Sequence, residues 1–268
     1  MSKTVTGQVT KSAAEIYDDF FVPALFGEWA APVAEAAGIT AGQHVLDVAC
    51  GTGVLTREVA RRVQPGGSVV GLDINDGMLS VARQKAPAIT FEEGNVEALP
   101  FNDQHFDAVT CQFGLMFFPD RRKAIREMLR VLKPGGRLAV AVWDAVAQVE
   151  GYAALADLLE RLYGAEIGAA VRAPFVLGDA QLLTNMFTSS AVADLQLHHR
   201  TGTMRFPSLR AWLETEIRGW VLADRLTDEQ FEALLAAAQQ VLGAYILPDG
   251  RVALRAPAYL VTATTGIR

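Results

Sequence analysis

The chain has little cysteine, few histidines and no long apolar run, and each shortage removes a class of protein. Only Cys50 and Cys111 occur among 268 residues. They stand in no metal-ligand spacing, so neither a disulfide framework nor a zinc site is expected, and a reducing compartment, the cytoplasm, is. The apolar stretches, such as Leu138 to Trp143, are of strand length, too short to span a bilayer. The start, Met-Ser-Lys-Thr-Val-Thr-Gly-Gln, lacks an apolar signal core. Positive charge is also in deficit: 24 Lys and Arg against 30 Asp and Glu give −6, so a polyanion meets net repulsion and nucleic acid is not an expected partner. With 51% hydrophobic and 20% charged residues, the chain has the balance of a folded globular protein.

What the sequence does have is alternation. Ile16, Phe20, Phe21, Leu25, Phe26, Trp29, Ala30, Val33 and Ala37 recur at helical spacing, with Gly38 as a stop. Short β-branched or apolar runs follow at His44 to Ala49, Ser68 to Asp73, Ile89 to Glu93, Phe106 to Cys111 and Arg137 to Trp143. Between them lie helical patterns at Val54 to Val63, Asp76 to Ala86 and Pro119 to Leu132. Pro65-Gly66-Gly67 and Pro134-Gly135-Gly136 read as turns before strands. Strands alternating with helices imply right-handed crossovers and a parallel, doubly wound α/β sheet. Further on, helices are expected at Tyr152 to Tyr163, Ser208 to Leu222 and from a capping box at Thr227 to about Leu242. Strands are expected at Val192 to His199 and Ala258 to Thr265. The reading is one domain: a helical cap (1–40), a ligand-binding core (41–145), a mixed region with lid helices (146–257) and a final strand (258–268).

In such a sheet, ligands bind beyond the carboxyl ends of the strands. The first strand runs Val45-Leu46-Asp47-Val48-Ala49-Cys50-Gly51-Thr52-Gly53 straight into a helix, and the glycines let a ligand approach the backbone. Asp73, about 20 residues on, ends the second strand, where a carboxylate accepts both hydroxyls of a ribose. Two features disfavour a dinucleotide. Thr56 replaces the third glycine of G-x-G-x-x-G, and the carboxylate Asp47 would repel a pyrophosphate while attracting an ammonium. The ligand implied is a nucleoside carrying a cation.

These residues resemble the class I S-adenosylmethionine-dependent methyltransferases, within them the ubiquinone/menaquinone C-methyltransferase-like group. The matching motifs are V-L-D-V-A-C-G-T-G (45–53), G-L-D-I-N (71–75), G-N-V-E-A-L-P-F (94–101), F-D-A-V-T-C-Q-F-G-L (106–115) and R-V-L-K-P-G-G-R-L (130–138). The resemblance implies a mostly parallel seven-stranded Rossmann-like sheet with N-terminal helices and a late helical lid. It implies S-adenosyl-L-methionine as cofactor, with Asp47, Gly51, Thr52 and Gly53 at its methionine end and Asp73 at the ribose. Ile74 and Met78 would sandwich the adenine, Asn95 and Val96 read its amino edge, and Gln112 and Phe113 line the methyl-donor pocket. Ala49 stands where many relatives have glycine.

The activity expected is C- or O-methylation of a small molecule, an aromatic or quinone-like metabolite among the options. The acceptor candidates are Tyr17, Phe20, Phe21, Trp143, Arg172, Trp212, Arg218 and Trp220, since aromatic rings stack on flat ligands and arginine pairs with anions. No catalytic triad is evident. His198 and His199 are the nearest approach to a base, while His44 and His105 read as structural or solvated. A nicotinamide-dependent oxidoreductase and a catalytically silent protein of the same fold are the competing readings. The oligomeric state stays open, with a homodimer among the options.

Overall fold

The computed structural model describes residues 11–188, 191–218 and 225–266, with the side chains of 11–13 and 218 left aside. Helix α1 (Lys11–Ile16) continues into a wide-turn helix at Tyr17–Phe26 and a tight turn at Gly27–Trp29 before α2 (Ala30–Ala36). Pro23 has no N–H to give and crowds the preceding turn, which suits the i→i+5 bonding there; Gly27 N–H donates to Val22 O in that pattern. The expected helical stretch is thus four pieces, ended at Gly38, whose φ is +64°. Asp18, buried in this segment, forms an ion pair with Lys85.

Five strands then alternate with helices: β1 (His44–Val48), α3 (Val54–Arg62), β2 (Ser68–Asp73), α4 (Asp76–Lys85), β3 (Thr90–Glu93), β4 (Phe106–Gln112), α5 (Arg121–Arg130) and β5 (Leu132–Trp143). Helix caps follow the sequence chemistry. The Asn75 side chain accepts from Met78 N at 3.0 Å and Asp120 from Lys123 N at 2.9 Å, each answering an N–H that the first turn leaves unpaired. Helix α5 buries Ala124, Ile125, Met128 and Leu129 on one stripe. Pro134-Gly135-Gly136 is no turn ahead of a strand. It is a bulged stretch within β5, whose Leu132 and Arg137 pair with Phe106 and Ala108 of β4.

Three helices follow, α6 (Glu150–Tyr163), α7 (Ala165–Arg172) and α8 (Ala180–Phe187), then β6 (Val192–Phe206), α9 (Leu209–Arg218), α10 (Asp228–Val241) and β7 (Val252–Thr265). The capping box at Thr227 and Gln230 is present. The last two strands are longer than their sequence pattern suggests, and β7 begins at Val252 rather than Ala258. They pair antiparallel from Val192–Thr265 to Phe206–Val252.

The sheet order is β3-β2-β1-β4-β5-β7-β6, with β7 alone running antiparallel to its neighbours. The chain winds outward from β1 through β2 and β3, then restarts on the other side of β1 with β4. The switch between β1 and β4 opens a crevice at their carboxyl ends, and this is what positions the site. Helices α6 to α8 enter after β5 and α9 and α10 after β6; of these, α6, α7 and α9 reach the ligand side of the sheet, while α8 packs beside α5 against β6 and β7.

Candidate functional site

A cavity of about 320 Å³ lies over the switch point. Its floor comes from the strand ends: Ala49 and Gly51 after β1, Asp73 at the tip of β2, Gln112 and Phe113 after β4, and Trp143 at the end of β5. Ile74, Met78, Asn95 and Val96 complete one side, Tyr17, Phe21 and Phe26 close it from the N-terminal helices, and Tyr152, Phe175 and Glu216 close it from the lid.

The glycine turn is held from both sides. Gly51 N–H donates to Asp73 Oδ2 at 2.8 Å, and Asn75 N–H donates to Oδ1 at 2.9 Å. Burial raises the Asp73 pKa, opposed by these backbone bonds. Ala49, at φ +52°, and Phe113, at φ +55°, occupy the left-handed region that side chains disfavour. Both line the cavity, so backbone strain gathers at the site. At Phe113 that conformation accompanies a stack on Trp143, the ring centroids 3.8 Å apart, with Trp29 edge-on to both.

Asp47 is buried beneath the turn, in the wall of a smaller hollow shared with Thr52 and Gln112. Thr56 Oγ1 donates to its Oδ2 at 2.6 Å and Thr110 Oγ1 to its Oδ1 at 2.8 Å. The residue in place of the third glycine therefore has a structural role, holding a buried carboxylate. Burial pushes the Asp47 pKa up to about 7 against those two hydroxyl bonds. Thr52 Oγ1 and Gln112 Oε1 are buried without a hydrogen-bond partner among the described residues. Two unpaired polar atoms beside a carboxylate are costly in a folded chain and mark a place for a polar ligand group.

The structure thus brings Gly51, Asp73, Ile74, Met78, Asn95, Val96, Gln112 and Phe113 together in the large cavity and Asp47 and Thr52 in the adjoining hollow. Gly53 lies in neither. It caps α3 at φ +81°, and a Cβ there would meet the Phe91 ring at 3.0 Å, so its place is packing beneath the turn. Of the acceptor candidates, Tyr17, Phe21 and Trp143 face the cavity, whereas Phe20 points outward, half exposed. Arg172 turns away to Asp157 and Glu160, at 2.6 Å from each. Trp212 is fully buried behind Tyr152, stacked on Phe206. The Arg218 side chain and Trp220 lie outside the described residues. His199 Nε2 sits 2.8 Å from Asp144 Oδ2, and His198 is exposed beside Gln196; neither lines the cavity.

The sequence reading missed the Tyr152–Glu216 pair. The Tyr152 hydroxyl donates to Glu216 Oε1, joining α6 to α9 across the lid. A signal existed: Glu216 lies three residues after Leu213 and four after Trp212, on the apolar face of α9.

The sequence profile of the ubiE/COQ5 methyltransferase family matches residues 3–152, more than half of the chain. The chain belongs to this family. All the strand ends that floor the cavity fall inside the matched stretch, and α7 to α10 fall outside it. Among curated members, the ubiquinone/menaquinone biosynthesis C-methyltransferase of Proteus mirabilis is 42% identical over 147 residues. That alignment takes in 52% of this chain and 59% of the relative, so the chain spans less than two thirds of the relative it matches. Solved structures extend the likeness to the fold. The YcgJ protein of Bacillus subtilis superposes with a TM-score of 0.62 at 21% identity, over 89% of this chain and 98% of that one. Phosphoethanolamine N-methyltransferase 2 of Haemonchus contortus, solved with phosphomonomethylethanolamine and S-adenosylhomocysteine, gives 0.62 at 17% identity, over 96% and 58%. These structures share the fold over most of the chain, including the part beyond residue 152 that the family profile does not match.

Proposed function

We propose that this member of the family transfers a methyl group from S-adenosyl-L-methionine to a small, flat, largely apolar acceptor. The observation that carries the reading is the pairing of Gly51 with Asp73 at the switch point, beside a hollow that holds Asp47 and two unpartnered polar atoms. A nucleoside with a cationic amino-acid tail matches this donor set. Asp73 retains acceptor capacity for two hydroxyls, and Ile74, Met78 and Val96 offer apolar faces to a purine, with Asn95 at its edge. Asp47, Thr52 and Gln112 suit an ammonium and a carboxylate.

When bound, S-adenosyl-L-methionine supplies an electrophilic methyl group. The chain's part is to orient the acceptor and to exclude water. Holding two reactants in a near-attack geometry contributes roughly 7 to 11 kcal/mol in favourable cases, without a protein nucleophile. Phe26, Phe113 and Trp143 form the wall suited to a planar ring, with centroid separations of 5.7 Å and 6.2 Å from Phe26 to the other two. No Lys, Arg or His lines the cavity among the described residues, which disfavours an anionic acceptor. Buried free thiols at Cys50 and Cys111 support a reducing compartment such as the cytoplasm, and the acidic balance speaks against a nucleic-acid partner. Among the described residues, no helix is long and apolar enough to cross a membrane.

Calorimetric titration with S-adenosylhomocysteine is the test. Saturable binding in the micromolar range is expected. No heat with this ligand, together with saturation by a nicotinamide dinucleotide, would replace the reading with an oxidoreductase.

A further inference from the structure

The acceptor end of the cavity is almost wholly apolar, built from Phe26, Trp143, Val171, Pro174 and Phe175, and its polar feature is the Tyr152–Glu216 pair. Glu216 comes from α9, outside the stretch that matches the family, so its presence follows from this chain's own lid. Tyr152 O–H bonds to Oε1, and Oε2 makes no hydrogen bond to any described residue. The carboxylate lines the cavity with one oxygen engaged and one free.

We propose that Glu216 determines acceptor choice: its Oε2 accepts the hydrogen bond of a hydroxyl on an uncharged aromatic ring, and Tyr152 positions it. This rests on the methyl-transfer reading above. A free carboxylate oxygen in an apolar pocket rewards a hydroxyl donor strongly, because a charge-assisted bond is roughly twice as strong as a neutral one. The same oxygen repels a ligand carboxylate, and among the described residues the cavity lining offers no cation to offset that repulsion. Among the described residues, the other charged groups on α9 and its neighbours are engaged elsewhere or face solvent. Arg210 pairs with Glu214 and with Glu232 of α10, Asp18 with Lys85, Glu28 with Arg205, and His199 with Asp144. Asp19, His198, Arg200, Asp228 and Glu229 are exposed. Tyr152 is left as the polar group that sets the state of Glu216. Burial raises the Glu216 pKa to about 7, and the Tyr152 bond restrains that rise.

The experiment titrates the full chain with 1-naphthol, 1-naphthoate and naphthalene, with and without saturating S-adenosylhomocysteine. The wild type is expected to prefer 1-naphthol over both others. Its naphthol affinity should fall by about tenfold from about pH 8 to about pH 5.5, as Glu216 gains a proton and its bond ceases to be charge-assisted. Glu216→Gln should lower naphthol affinity by about tenfold at pH 8, abolish the pH dependence and leave S-adenosylhomocysteine affinity unchanged. Tyr152→Phe should keep the pH dependence but move its midpoint upward, which a purely structural tyrosine would not do. Equal binding of naphthol and naphthoate by the wild type, or a Glu216→Gln variant with the wild-type pH profile, would overturn the proposal. Failure of the wild type to bind S-adenosylhomocysteine would overturn the methyl-transfer reading, and the naphthol titration of the free chain would still judge Glu216 by itself.

Discussion

The Gly51 N–H donates to Asp73 Oδ2 across 2.8 Å, so the turn after β1 and the tip of β2 are one hydrogen-bonded unit. Asn75 N–H occupies the other carboxylate oxygen. Each oxygen retains a second lone pair, and the carboxylate cannot rotate without breaking a backbone bond. A side chain fixed in this way binds a diol with little further loss of freedom.

Asp73→Ala removes both acceptor oxygens and frees the glycine turn. The expected result is an S-adenosylhomocysteine affinity lower by more than about tenfold, the loss of one or two charge-assisted hydrogen bonds, in a chain with unchanged circular dichroism. Isothermal calorimetry on the folded variant measures it. Wild-type affinity in that variant would take Asp73 out of the site.

Asp47 links the site to pH. In the folded chain it holds its proton up to about 7, because burial raises its pKa, whereas an unfolded chain releases it near 4. The native state thus binds more protons than the unfolded state between those values. Stability falls as pH rises from about 4 to about 7, and the loss is complete above that. About three units correspond to at most about 4 kcal/mol. Asp47→Asn removes this term while keeping the shape. Urea unfolding at about pH 5 and about pH 8 should show a smaller loss in the variant than in the wild type. Equal losses would mean that Asp47 is ionised throughout.

Most of the sheet was legible in the sequence, because each central strand is a short apolar run bounded by turn residues. The order of residues at Asp47, Gly51 and Asp73 also pointed to the crevice. What escaped was local competition. Pro134-Gly135-Gly136 carries every mark of a turn, yet Leu132 and Arg137 on either side both pair with β4, so it survives as a bulge. Strand β6 loses its alternation from His198 to Thr201, where successive side chains are exposed, and regains it only at Met204 and Phe206, so the pairing with β7 is what reveals its length. Arg172 and Trp212 have residue types that suit an acceptor site, but sequence does not say which way a helix turns. One is held by acidic partners on α6, and the other is enclosed behind Tyr152. Glu216 was passed over for the opposite reason, as a charged residue normally faces water.

Ala49 sits at φ +52°, where a Cβ costs about 1 to 2 kcal/mol. Ala49→Gly relieves that cost but adds about 0.5 to 1 kcal/mol of unfolded-chain entropy. The net expectation is a gain of about 0.5 to 1 kcal/mol in chemical unfolding, with S-adenosylhomocysteine affinity retained. A destabilised glycine variant would show that packing of the Ala49 methyl outweighs the strain.

Arg172 provides the contrasting case. Its guanidinium bridges Asp157 and Glu160 of α6 at 2.6 Å each, and that bridge fixes α7 against α6 at the rim of the lid. The neighbouring Val171 and Pro174 line the cavity, but Arg172 does not. Both partners are substantially exposed, so the bridge contributes no more than about 1 kcal/mol. Arg172→Ala should therefore lower stability by less than that in denaturant unfolding, an effect that shrinks further in high salt. Affinity for S-adenosylhomocysteine and for 1-naphthol should stay within about twofold of the wild type, since a residue that touches neither ligand acts on them only through the lid. A tenfold loss of naphthol binding in Arg172→Ala would mean that the orientation of α7, held by this bridge, shapes the acceptor end of the cavity.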